Sequence, residues 1–224
     1  MEKHQKEFIK FLINQKALIF GDFTTKSGRK TPYFVNTGKL SSGSAIRDLG
    51  QFYAEHILNS ICKDPAIIFG PAYKGVPLAV GTSIALANKN IPCDYCFDRK
   101  EAKEHGDGGS FVGTMPKPGD KVVLVEDVVT AGTTLRKMVP IIKDELKANL
   151  VGVCIAVDRC EKGAVGFESA SAEATRLLGI KIFPIVTIHQ ILEYLKSEDA
   201  KSSGFAVSDE IISKANQYLQ QYGA

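Results

Sequence analysis

Two periodicities alternate along the chain. Short unbroken apolar runs that stop at glycine, proline or acid are separated by stretches in which apolar residues recur every three or four positions. Glu2 to Gln15 carries Phe8, Phe11 and Leu12 at helical spacing and predicts an amphipathic helix. Ala17 to Tyr33, punctuated by Gly21, Gly28 and Pro32, reads as a hairpin or irregular extended stretch. Ser41 to Ser44 offers N-caps for a helix running to about Cys62. The pattern then repeats. Strands are predicted at Ala66–Phe69, Cys93–Phe97, Lys121–Val125, Val151–Val157 and Ile180–Ile185, with helices at Gly75–Lys89, Thr133 to about Lys147, and Ser169–Leu178. Two amphipathic helices, Ile188–Leu195 and Ser208–Tyr222, close the chain. Arg99 to Met115 fits no regular element and reads as a polar, charged, glycine-rich loop. Loops of that length inside a domain are usually functional or disordered.

Short apolar strands alternating with helices predict an α/β fold, a mainly parallel sheet flanked by helices on both faces. Val122-Val123-Leu124-Val125 has the continuous apolar character of a parallel strand buried on both sides. No repeat, low-complexity tract or linker interrupts the pattern. The expectation is a single domain over residues 1–224, with residues 1–40 forming a small N-terminal subdomain.

With 44% of 224 residues apolar, the chain can bury a substantial core. No run approaches the roughly 18 to 20 apolar residues of a membrane helix, and the start Met1-Glu2-Lys3-His4 lacks the basic-then-apolar layout of a secretory leader. A cytoplasmic protein without a membrane partner is expected. The net charge of +3 is too small for a typical nucleic-acid binder, and the positive charge gathers locally at Arg99, Lys100 and Lys103. Five cysteines form an odd, scattered set, expected as reduced thiols. The pair Cys93-x-x-Cys96 has no matching second pair that would make a zinc site, and reads as two small residues on a half-buried strand.

The strongest chemical signal is Val122 to Thr134: a buried strand, the adjacent acids Glu126 and Asp127, a small hydroxyl-rich loop, and a helix start. Ligands of open parallel sheets bind beyond the carboxyl ends of the strands. There the loop Thr130-Ala131-Gly132-Thr133-Thr134 would present backbone N–H groups at a helix N-terminus, which favours phosphate. Carboxylates repel phosphate but grip hydroxyls, so acids beside an anion loop fit a ribose 5-phosphate. No G-x-x-x-x-G-K-[ST] and no G-x-G-x-x-G after a strand points to another nucleotide fold.

This motif resembles the phosphoribosyl pyrophosphate signature of the type I phosphoribosyltransferases. Other segments, in family order from about Phe23 to Arg159, resemble the orotate-specific branch. Phe23 to Asn36 is similar to its base-binding segment and Gly70-Pro71-Ala72-Tyr73-Lys74-Gly75 to its pyrophosphate loop. Asp98 to Gly106 is similar to its mobile catalytic loop and Val157-Asp158-Arg159 to the segment that gives orotate an arginine.

The resemblance implies a type I phosphoribosyltransferase fold whose N-terminal 1–40 subdomain is a hood over the base. The implied reaction moves ribose 5-phosphate from phosphoribosyl pyrophosphate to N1 of orotate, with Mg2+ held mainly through the donor and without a protein metal site. It implies that the segment Val128, Val129 and Thr130 to Thr134 takes the 5-phosphate while Glu126 and Asp127 take the ribose hydroxyls. Lys74 and the Tyr73 backbone would bind pyrophosphate, and Lys26 would reach both donor and orotate. Phe34 and Val35, with Thr130, would line the pyrimidine, and Arg159 would pair with the carboxylate that uracil lacks. Arg99, Lys100, Lys103 and His105 would surround the leaving pyrophosphate. Lys103, His105 and Asp127 are the implied catalytic residues. In the family the loop enters the neighbouring subunit's site, so a homodimer is expected.

Plainer roles stand beside these. Arg159 could form a structural ion pair with Asp158 or Glu161, Tyr33 and Phe34 could be core aromatics, Lys74 a surface lysine, and the Arg99–Gly109 charges a solvated loop. A phosphoribosyltransferase for another base, and a donor-binding regulator without catalysis, are the competing functions.

Overall fold

In the computed structural model, which describes residues 1–24, 28–103, 109–164, 166–205 and 207–224, two sheets and eight α-helices follow one another. Helix α1 (Lys3–Asn14) precedes the strands β1 (Leu18–Thr24) and β2 (Lys30–Val35). Those strands form an antiparallel two-stranded sheet with an irregularity between Phe20 and Phe23. Phe8, Ile9 and Leu12 of α1 are buried with Leu18, Tyr33 and Val35 in the same apolar cluster as much of the main sheet.

Helix α2 (Gly43–Ser60) starts where Ser42 accepts the N–H of Ala45 at 3.1 Å, a cap worth about 1 kcal/mol. The main sheet then builds through β3 (Ile67–Phe69), α3 (Gly75–Ala87), β4 (Asp94–Lys103), β5 (Gly109–Gly113), β6 (Lys121–Glu126), α4 (Thr133–Pro140), β7 (Asn149–Asp158), α5 (Ala170–Leu178) and β8 (Ile182–Thr187). Its spatial order is β5-β4-β3-β6-β7-β8, parallel throughout except for the antiparallel β4–β5 edge. Helices α6 (Ile188–Leu195), α7 (Glu198–Ser202) and α8 (Asp209–Tyr222) end the chain.

Strand β6 explains why the layers form. Val122 and Leu124 enter the apolar cluster containing Leu135 and Met138 of α4 and Ala174 of α5. Val123 and Val125 enter the opposite cluster with α1, α2, α3, α6 and α8. All four are fully buried, at roughly 1.5–3 kcal/mol per large apolar side chain. Alternation along one strand thus fastens helices to both faces, and the loops after β3, β6 and β7 all emerge at one edge.

Two expectations are corrected. Arg99 to Met115 is not a loop throughout: β4 continues to Lys103 and pairs with β5, with Asp98 opposite Phe111 and Lys103 opposite Gly109. Hydrogen bonding across the hairpin satisfies a backbone whose side chains are too polar to announce a strand. The helix expected from Thr133 to about Lys147 is α-helical only to Pro140. Proline lacks the N–H that would continue the ladder, and Ile141–Glu145 is a π-helical turn in which Leu146 N–H reaches Ile141 O at 2.9 Å.

Candidate active site

Glu126 closes β6, and Asp127 turns the chain away from it. The Asp127 backbone carbonyl accepts from the N–H groups of Ala156 and Val157, at 3.0 and 3.3 Å, so the end of β7 fixes its position. Its side chain is nearly buried. Oδ1 accepts the Val128 N–H at 2.9 Å, and Oδ2 accepts from Lys74 Nζ at 2.6 Å and from the Thr37 hydroxyl at 3.3 Å. Thr37 lies just beyond β2, so the N-terminal hairpin reaches the acid at the sheet edge. Lys74 is half exposed and can move, whereas Asp127 cannot.

Glu126 sits beside it, its backbone carbonyl held by the Tyr53 hydroxyl of α2 at 2.7 Å. Its carboxyl is pushed up to about 8, first by burial and then by the charge of Asp127. Two adjacent, largely buried carboxyl groups resist being charged together, and a ligand with hydroxyl donors suits that arrangement.

The loop that follows has the shape of an anion seat. Gly132 adopts a left-handed conformation (φ +66°) and precedes α4 without any side-chain cap. Among the described residues, no acceptor engages the backbone N–H groups of Thr130 to Thr134. Thr130, Ala131, Thr133 and Thr134 are exposed, and Val129 tucks into the core. From behind, Arg136 bonds the Ala131 carbonyl at 3.3 Å and the buried Glu173 of α5 at 3.0 Å.

The pyrophosphate-type loop lies between β3 and α3. Gly70 and Gly75 touch backbone to backbone, leaving no room for a Cβ at either. Within it the Ala72–Tyr73 peptide is cis, and the Ala72 N–H donates to Asp98 Oδ1 at 2.7 Å. Asp98 is buried on β4 and also receives Lys137 Nζ of α4 at 3.2 Å. This acid therefore joins the loop after β3, the root of the β4–β5 hairpin and the helix behind the anion seat. Sequence reasoning did not single it out as an anchor. An acid directly before the basic pair Arg99-Lys100 was the available signal. Tyr73 is 73% exposed, with the Lys100 ammonium 5.5 Å from its ring centre. Arg99 is half-buried and its Nε has no protein acceptor. Lys103 ends β4. Lys26, His105 and the Lys103 side chain lie outside what the structure describes.

The third component lies beyond β7. Arg159 donates to Glu161 Oε1 at 2.6 Å and stacks over the Tyr33 ring at 5.5 Å. It therefore does make the Glu161 ion pair weighed above. Its Nε is nonetheless buried with no acceptor, and among the described residues the guanidinium bonds to Glu161 alone. Arg29 donates to the other oxygen of Glu161 at 3.2 Å. Two guanidinium groups thus meet on one carboxylate in a half-buried place. Phe34 is half-buried against Phe23, with ring centres 5.9 Å apart, and Val35 is buried. Tyr33 is a core aromatic with its hydroxyl on Glu161 at 3.0 Å.

A family model for the phosphoribosyl transferase domain matches residues 37–166, which span β3 to β7 and both loops. Fold, motif and match together define a type I phosphoribosyltransferase. The chain is 47% identical over 225 residues to the orotate phosphoribosyltransferase of Clostridium beijerinckii, covering all of both chains. It is 44% identical to that of Bifidobacterium animalis subsp. lactis over 97% of this chain and 96% of the relative. A crystal structure of the orotate phosphoribosyltransferase of Francisella tularensis superposes with a TM-score of 0.82 at 36% identity, covering 97% of this chain and 100% of that one. The chain belongs to the orotate phosphoribosyltransferase family.

Proposed function

We propose that the chain transfers ribose 5-phosphate from phosphoribosyl pyrophosphate to N1 of orotate, giving orotidine 5′-monophosphate and pyrophosphate in pyrimidine biosynthesis. The observation that carries this reading is a juxtaposition at one sheet edge: the buried Asp127, the backbone amides of Thr130 to Thr134 that no described acceptor engages, and the Arg159 guanidinium with its buried, unpartnered Nε. Each suits one part of the reactants, namely ribose hydroxyls, the 5-phosphate and the carboxylate of the base.

In the proposed cycle the 5-phosphate settles on the Thr130–Thr134 amides at the start of α4. Asp127, with Glu126, takes the ribose hydroxyls, and Lys74 leaves Asp127 for the pyrophosphate. Arg159 pairs with the orotate carboxylate, and Phe34 flanks the ring. N1 of the orotate anion gives its electron pair to C1 while the C1–O bond breaks and its pair leaves with pyrophosphate. Arg99 and Lys100, with Lys103 by resemblance, would meet the departing charge, where electrostatic stabilisation is most effective. His105 belongs to the same group by resemblance.

Among the described residues, no cluster of three or more His, Cys, Asp and Glu could hold a metal ion by itself. The two carboxylates beside the ribose site are compatible with Mg2+ carried on donor oxygens and waters, where it would neutralise the pyrophosphate. By the same resemblance the active form is a homodimer with shared sites in the cytoplasm. No helix among the described residues is long and apolar enough to cross a membrane.

The test is the loss of orotate absorbance when phosphoribosyl pyrophosphate is added with Mg2+, run beside uracil, adenine and hypoxanthine. Turnover of orotate alone is expected. Turnover of another base in preference, or donor binding with no turnover of any base, overturns the proposal.

A further inference from the structure

Three donors, two from the N-terminal hairpin region and one from the end of β7, converge on the carboxylate of Glu161, which is mostly buried. Its Oε1 receives Arg159 at 2.6 Å and the Tyr33 hydroxyl at 3.0 Å, and its Oε2 receives Arg29 at 3.2 Å. Those donors are themselves held by α8. The Tyr218 ring meets Tyr33 edge-on at 5.6 Å, its hydroxyl lies 3.4 Å from Arg29, and Arg29 covers the Tyr222 ring at 4.8 Å. Tyr218 and Tyr222 sit four residues apart, on one face of the helix. The backbone joins in, with Lys162 N–H bonded to Tyr222 O at 2.9 Å and Ala224 N–H to Cys160 O at 3.0 Å.

Arg159 gains from this a fixed orientation. One donor of its guanidinium is on Glu161, one face is on Tyr33, and the buried Nε is left without an acceptor. A long side chain that is free in solution would have to be ordered each time a base arrived, and such ordering weakens binding. Here it is ordered beforehand by a carboxylate that two further donors hold in place.

We propose that Glu161 is the positioning residue of the base pocket, and that α8 acts through it to aim Arg159 at the carboxylate of the incoming base. This rests on the reading that Arg159 receives that carboxylate. The role differs from simple packing because it concerns one substrate: losing Glu161 should weaken orotate and leave the donor, bound beyond β3 and β6, almost untouched.

The experiment measures KM for orotate and for phosphoribosyl pyrophosphate separately in Glu161→Ala, Glu161→Gln and Arg159→Ala, on the full chain. Glu161→Ala should raise the orotate KM about tenfold or more, the scale of one hydrogen bond between charged groups, with the donor KM within about twofold. Glu161→Gln keeps an acceptor for Arg159 and should recover part of the loss. Should the alanine variant fail to fold, the near-isosteric glutamine variant carries the test through its own orotate-selective rise. If the two KM values rise together, or if neither moves, the positioning role is overturned. An unchanged orotate KM in Arg159→Ala sinks the reading of Arg159 itself. A rise there without one in the Glu161 variants sinks only the positioning role.

Discussion

Asp127→Asn separates two effects that the Lys74–Asp127 pair ties together. In the wild type Asp127 is paired with Lys74 at 2.6 Å, so the proposed donor must break that pair before it can place its ribose hydroxyl on the carboxylate. Lys74 is half exposed, which limits the pair to about 0–1 kcal/mol. The hydroxyl bond that replaces it is made to a nearly buried charge and is worth about 1.5–3 kcal/mol. Asparagine keeps the shape and an acceptor oxygen but loses the charge in both states. The larger bond is weakened and the smaller obstacle disappears. The difference is at most about 0.5–3 kcal/mol against the variant, or roughly a 2- to 150-fold weaker donor. Calorimetric titration of phosphoribosyl pyrophosphate with Mg2+ into both proteins reads this directly, and orotate need not be present. Donor affinity within twofold of wild type, or tighter, would refute the assignment of Asp127 to the ribose.

Lys103→Ala should lower kcat by about a hundredfold or more while donor binding stays near normal, as for removal of a group that stabilises charge in the transition state; a near-normal rate removes Lys103 from the mechanism. Glu126 has a raised pKa of about 8 against an ordinary 4.5, so its contribution to stability is fully present below about pH 4.5 and is lost as pH climbs toward 8. Glu126→Gln cannot ionise, and in ligand-free melts at pH 5 and pH 8 it should lose less stability than wild type, by about 1–3 kcal/mol; parallel losses in both proteins contradict the buried, proton-bearing Glu126. Gly75→Ala would put a Cβ 2.6 Å from the Gly70 carbonyl carbon, so the 70–75 loop must open. A stability cost of about 1–3 kcal/mol and a clearly raised donor KM are expected, from thermal melts and titration; a variant that keeps the wild-type donor KM would show that Lys74 does not depend on this contact.

Elements whose side chains face the core were legible. The run Val122 to Val125 is apolar because both faces of β6 are covered, and Ser42 caps α2 through the hydroxyl that marks it in sequence. The hairpin of β4 and β5 was not, because an edge ribbon is held by its backbone ladder, and Asp98 to Lys103 and Gly109 to Gly113 carry little period-two pattern. Pro140 was visible, but not that the chain would pass it by a π turn. At the site, the acids and the anion loop are contiguous and could be read together. The Asp98 link and the bond from Thr37 to Asp127 join residues 26 and 90 positions apart, and only folding brings them together. Arg29 and Tyr218 were equally hidden, since one lies in the hairpin and one in the last helix, whereas Glu161, two positions from Arg159, could be weighed as its partner from sequence.

The bracing of the Ala131 carbonyl by Arg136 and Glu173 has a consequence for turnover. A seat stiffened from behind needs little rearrangement to take a phosphate, and it is blind to what is attached at the far end of the sugar. Under the proposed reading, reactant and nucleotide product share that phosphate, so the grip that welcomes one also delays the departure of the other. Loosening the brace would then trade weaker capture for quicker discharge.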